Sequence, residues 1–167
     1  MLGVVLLYVG AVLFVNGFTL LGKADPKGSA IMNLLTGILT LIINIIILVV
    51  NAVGDEDPTL FYAAGTGLLF SFTYLYVGAV NLFSLDGRGL GWYCLFVAVT
   101  AMPSAYVAFD SDPRFTVIWL GWGFLWFVYF LLLALDMKIV KFAGYATLVI
   151  AVLTAWIPGY MLLVGVW

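Results

Sequence analysis

The sequence predicts an all-α polytopic membrane protein: six transmembrane helices in one compact bundle, with both termini extracytoplasmic. Three observations predict it. Hydrophobic residues make up 66% of the chain and charged residues 8%, against about 25% charged in soluble domains. Too few charges exist to build a water-facing surface, so lipid must surround most of the protein. The charged residues also fall in or beside five short connections, and none sits inside an apolar stretch. At roughly 20 residues per span, six spans use nearly all of the 167 residues and leave a single transmembrane domain, 1–167.

The first span covers residues 2–21. Its start, Met1-Leu2-Gly3-Val4-Val5, has no basic n-region, so it is read as a retained helix and not as a cleaved signal peptide. A connection with Lys23, Asp25, Pro26 and Lys27 follows. The second span, 30–53, ends at Gly54-Asp55-Glu56-Asp57-Pro58. The third, 60–83, ends at Asp86-Gly87-Arg88-Gly89, and the fourth, 91–109, at Asp110-Ser111-Asp112-Pro113-Arg114. The fifth, 115–135, ends at Asp136, Lys138 and Lys141, and the sixth covers 144–166. Each connection carries turn formers or charge. Pro103 and Pro158 lie inside spans four and six and are expected to kink or interrupt them.

Orientation follows the basic residues. Lys23, Lys27, Arg88, Lys138 and Lys141 lie on one side and Arg114 alone on the other. The five-residue side is therefore expected to be cytoplasmic. The repeat Tyr8-Val9-Gly10-Ala11-Val12 and Tyr76-Val77-Gly78-Ala79-Val80 links spans one and three. It gives no support to a division into two inverted three-helix halves.

A charge at the centre of a span costs about 2.5–3.5 kcal/mol on insertion scales and is kept where ion or proton movement needs it. Its absence here speaks against an ion pump, a proton-coupled carrier or a voltage sensor, and leaves room for a neutral solute. The chain has no histidine, which removes the usual pH sensor and the commonest metal ligand. Cys94 stands alone and is read as a small apolar helix residue. No Ser–His pair, HExxH, Walker-type loop or mid-span carboxylate pair is present, so no catalytic residue is assigned and no metal or cofactor is expected. No basic run exists to hold nucleic acid.

Stripes inside the spans carry the functional signal. Phe115, Trp119, Trp122, Trp126 and Tyr129 fall on one face of span five. Trp119 suits an interfacial belt. Trp122 and Trp126 lie near mid-span, where an indole N–H facing lipid loses about 1–3 kcal/mol. They either pack between helices or line a narrow pore. Phe70 and Tyr74 share a face of span three, with Tyr76 pointing elsewhere, and Leu2, Leu6, Val9, Leu13 and Asn16 form a stripe on span one. Span two carries Asn33, Thr36, Thr40, Asn44 and Asn51, read first as interhelical hydrogen-bonding glue and second as solute contacts. Carbonyls freed by Pro158, near Thr154 and Ala155, need a partner from a neighbouring helix or a solute.

Five segments, in order, resemble a known family: Met1 to Gly10, Gly67 to Tyr76, Trp92 to Ala98, Trp119 to Trp126, and Leu153 to Pro158. Together they are similar to the bacterial urea channel and amide transporter family, encoded beside ureases or amidases. The resemblance implies a passive channel for urea or another small planar amide in the bacterial cytoplasmic membrane. It implies a hexamer of six-helix protomers, each with its own pore, and a functional link to a cytoplasmic urease. The implied lining comprises Leu2, Val9, Leu13, Phe70, Tyr74, Trp122, Leu125 and Trp126; Leu6 joins it from the span-one stripe, with Asn16, Trp119 and Thr154 as secondary candidates. Acid-gated members carry histidines in long outer loops and a carboxylate in span six. Here the outer loops are short and Ile150 stands at the carboxylate's position. A pathway open at neutral pH is expected. A short-chain aliphatic amide transporter supplying an amidase is the alternative within the class. A non-conducting structural or sensory subunit is the alternative outside it.

Overall fold

Backbone polar groups inside lipid must be satisfied within the segment, which makes apolar runs of this length helical. The computed structural model describes residues 1–54 and 56–167. Asp55, part of the acidic group expected after span two, lies outside the described residues. Among the described residues, six helices are long and apolar enough to span a membrane: α1 Leu2–Leu20, α2 Pro26–Val53, α3 Pro58–Phe83, α4 Arg88–Ser111, α5 Pro113–Leu133 and α6 Val140–Val164. No strand occurs among the described residues.

Five of the helices begin earlier than the charge pattern suggests, three of them for one reason. Asp-Pro occurs at 25–26, 57–58 and 112–113, and each time the proline opens a helix that the aspartate caps. Asp25 accepts from the amide of Gly28 at 2.6 Å, Asp57 from Thr59 at 2.8 Å and Asp112 from Arg114 at 3.0 Å. Proline has no N–H to waste in a first turn, and the carboxylate satisfies a free amide there. The charged residues therefore belong to the helix starts and not to the loops alone.

The prolines inside spans behave differently from each other. The α-helix of α4 runs without interruption through Pro103, contrary to a break at that point. In α6 the residues before Pro158, Ala151–Trp156, form a π-helical segment between two α-helical stretches. The wider turn accommodates the lost i→i−4 bond and rotates the side chains that follow.

The helices pack as three pairs: α2 with α3, α4 with α5, and α1 with α6. The third pair is a small-residue seam. A Cβ on Gly10 would stand 2.8 Å from the backbone nitrogen of Trp156, and one on Gly159 would stand 2.6 Å from that of Leu7. Only glycine permits that approach, the usual basis of tight helix association in lipid. One helix of each pair, α1, α3 and α5, faces the centre. No Cα of any of these three comes within 8 Å of a Cα of either other one. Side chains fill part of the space between them, and cavities occupy the rest.

The polar stripe of α2 is buried, and none of it reaches a cavity. Its role as interhelical glue holds for one residue: Asn33 pairs with Asn16 of α1. Thr40 and Asn44 return their hydrogen bonds to carbonyls of their own helix, the i−4 back-bonding open to such side chains in a helix. Asn51 instead clasps the backbone of Asp57 in both directions, at 2.8 and 2.9 Å. The hydroxyl of Thr36 is buried without a partner among the described residues.

Candidate functional site: two cavities on either side of an aromatic cluster

Two cavities lie end to end between α1, α3 and α5. The outer one, at the end that carries the termini, has a volume of about 190 Å³. Leu2, Val5, Leu6 and Val9 of α1, Tyr62, Thr66 and Gly67 of α3, and Phe115 and Trp119 of α5 form its walls. The inner one, at the end with most of the basic residues, has a volume of about 280 Å³. Leu13 and Asn16 of α1, Thr73, Tyr74, Val77 and Asn81 of α3, and Leu125, Trp126, Tyr129 and Leu133 of α5 form most of it. Phe70 and Trp122 line both cavities. Among the described residues, no charged side chain lines either one.

The junction is aromatic. Phe70 meets Trp122 and Trp126 edge-on, with ring centroids 4.6 Å apart in each case. Trp119 stands at 5.2 Å from Trp122, nearly perpendicular to it. Helical spacing explains how three indoles reach one place: residues three and four apart share a face of α5. Edge-to-face contacts suit the ring quadrupoles and hold the rings at defined angles.

Two hydrogen bonds anchor this wall from behind. The N–H of Trp122 donates to the hydroxyl of Thr154 at 3.0 Å, and that hydroxyl donates to the carbonyl of Ile150 at 2.6 Å. Tyr129 shares a hydrogen bond of 3.1 Å with the hydroxyl of Thr147. Both threonines belong to α6, and Thr154 lies in its π-helical segment. The indole N–H of Trp122 is thus already satisfied within the protein, so this residue presents ring face and edge, not a donor.

The residues singled out in the sequence are distributed as follows. Leu2, Leu6, Val9 and Trp119 line the outer cavity, and Leu13, Asn16, Tyr74, Leu125 and Trp126 the inner one, with Phe70 and Trp122 between. Thr154 lines neither and stands behind Trp122. Sequence reading missed Val5, Tyr62, Thr66, Gly67, Thr73, Val77, Asn81 and Leu133. The signal was available: extending the Phe70–Tyr74 spacing along α3 in both directions reaches most of them. Cys94 also lines the inner cavity, beyond the packing role read for it.

A polytopic helical protein with two cavities end to end between its helices, lined by no charged side chain among the described residues, fits the class of solute channels and transporters. The AmiS/UreI family of transporters matches residues 1–166, and the chain belongs to that family. The acid-activated urea channel of Helicobacter pylori is 39% identical over 194 aligned positions, covering 100% of both chains. That alignment exceeds the 167 residues here, so the relative has insertions that this chain lacks. The AmiS2 protein of Rhodococcus erythropolis is 42% identical, covering 96% of this chain and 78% of its own length. The crystal structure of the urea channel from Helicobacter pylori superposes with a TM-score of 0.93, at 39% identity and covering 100% of this chain and 99% of that one.

Proposed function

We propose that the chain is a passive channel for urea and similarly small, flat, neutral amides, and that the two cavities are its path. The observation that carries this is the meeting of Phe70, Trp122 and Trp126 where two uncharged cavities join. A bilayer resists urea because its polar groups would be desolvated without partners. A slot with aromatic walls admits a thin planar molecule with its faces against the rings. Leu2, Leu6, Val9, Leu13 and Leu125 set the width on either side. Contacts that are weak and sequential favour flux over retention. Ions and protons gain nothing from walls without charge.

The setting follows the family and the charge bias. The protein lies in the bacterial cytoplasmic membrane with both termini outside, assembles as a homohexamer with a path through each protomer, and delivers urea to a cytoplasmic urease. The acid activation named for the Helicobacter pylori relative is not carried over, since this chain has no histidine. Transport of short aliphatic amides to an amidase is the second reading, favoured by the 42% identity to AmiS2.

The test is urea permeability of proteoliposomes by stopped-flow light scattering, for the wild type and Trp126→Ala. Wild-type flux well above empty liposomes is expected, with loss of discrimination between urea and thiourea in the variant. Flux and selectivity unaltered by the substitution would remove the slot from consideration. Competition among formamide, acetamide and urea separates the two solute readings.

A further inference from the structure

The inner cavity has a mostly apolar wall, and several of its polar groups are already engaged. The hydroxyls of Thr19, Thr73 and Tyr129 are hydrogen-bonded within the protein. Asn16 differs. Its carboxamide is bonded on one edge, and the residue is half-buried against the cavity.

The orientation of that carboxamide is determined by its surroundings. The side-chain nitrogen of Asn33 donates to the backbone carbonyl of Ser29 at 2.9 Å. A carbonyl only accepts, so this end of Asn33 must be the NH₂ group. The same nitrogen donates to Oδ1 of Asn16 at 2.7 Å, and Nδ2 of Asn16 donates back to Oδ1 of Asn33 at 2.9 Å. The two side chains therefore form a closed amide–amide pair, and Asn16 cannot flip without breaking it. A carboxamide carries two N–H groups and two carbonyl lone pairs. The pair consumes one of each on Asn16. One N–H and one lone pair remain on its flanks. Asn33 is fully buried, so what is left of the pair's capacity belongs to the residue on the cavity wall.

We propose that Asn16 is a recognition residue for primary amides in the inner cavity, with Asn33 as the group that holds it. A passing urea or carboxamide takes the spare N–H on its carbonyl oxygen, or gives an N–H to the spare lone pair. Asn33 already shows that a primary amide fits this side chain edge to edge. The bond is single and neutral, so it discriminates without trapping the solute. This subsite rests on the reading of the cavities as the solute path.

The experiment compares urea with ethylene glycol, a neutral solute of similar size without an amide, in proteoliposomes. Asn16→Leu and Asn33→Leu break the same interhelical pair, but only the first removes an amide from the cavity wall. Asn16→Leu is expected to lower the urea-to-glycol permeability ratio about fivefold, the equivalent of one neutral hydrogen bond of about 1 kcal/mol. Asn33→Leu, which leaves the Asn16 amide on the wall but no longer held, lowers it by a smaller factor. An unchanged ratio in Asn16→Leu, or equal losses in both variants, overturns the subsite while leaving the path intact. A wild type that passes no urea sinks the path and the subsite together. Where Asn16→Leu does not fold, wild-type protein labelled with ¹⁵N-asparagine carries the test. Urea titration shifts the Asn16 side-chain amide resonance saturably and more than that of Asn44, which is buried away from the cavity. Equal shifts at the two asparagines overturn the proposal.

Discussion

The indole N–H of Trp122 is held by the hydroxyl of Thr154, 3.0 Å away in the π-helical segment of α6. The bond fixes the ring that forms one side of the constriction and leaves its polar edge unavailable to a solute. Replacing Thr154 by valine keeps the shape and removes the partner. The variant should lose about 0.6–1.7 kcal/mol of stability, the range for such bonds between membrane helices. Its urea-to-thiourea discrimination should fall, because Trp122 is freed to turn. Thr154→Ser should retain both properties. Thermal denaturation in detergent and stopped-flow flux check this, and a valine variant indistinguishable from serine would contradict it.

Phe70 reaches across the central space to two indoles at once. Truncation to alanine should merge the two cavities into one. Flux of glycerol and water is then expected to rise, and selectivity for urea to drop at least severalfold. The same light-scattering assay run with glycerol decides it. A variant that conducts less of every solute would mean that Phe70 props the path open instead of narrowing it.

Acid should do little. At the outer end Asp112 pairs with Arg114 at 2.8 Å, and the N–H of Trp167 donates to the same carboxylate at 2.9 Å. Arg114 also lies 4.3 Å from the centre of the Trp167 ring, which packs on Phe115 of the outer cavity. The Arg114 hydrogen bonds, opposed by partial burial and helped by Trp167, pull the Asp112 carboxyl down to about 2 from 3.8. A carboxyl with a lowered value contributes its stabilisation above the ordinary value and loses it only as pH falls through the lowered one. Asp57 is likewise lowered, chiefly by the Thr59 hydroxyl. Urea permeability should therefore stay level between pH 7.5 and pH 5. A steep rise on acidification would show a proton switch elsewhere in the protein.

The seam between α1 and α6 should be intolerant of bulk. Gly10→Leu places a branched side chain where a single Cβ already meets the Trp156 backbone. Backbone cannot yield as a flexible side chain can, so the yield of folded protein in size-exclusion chromatography should collapse. Gly65→Ala, whose Cβ meets nothing within 4 Å, serves as the control.

Much of this was legible in the chain. Charge-free runs define six spans, and the 119, 122, 126 spacing on α5 and the 70, 74 spacing on α3 point to one aromatic surface. What escaped had local causes. Helix starts at Pro26, Pro58 and Pro113 were hidden because charged residues read as loop, although Asp-Pro is a start signal. The pairing of Trp122 with Thr154 depends on a π-turn whose register shift no period-3.6 reading anticipates. Thr40 and Asn44 look like glue in sequence, but both bond back to their own helix, an alternative that every such side chain in a helix has.

The arrangement of the helices in pairs has a mechanical consequence. Each lining helix leans on a backing helix that faces largely outward: α2 behind α3, α4 behind α5, α6 behind α1. The three lining helices stand as blades around the central space, each carried by the helix behind it. A substitution on the outward face of a backing helix should therefore reach the cavities through its partner helix, without altering any residue that lines them.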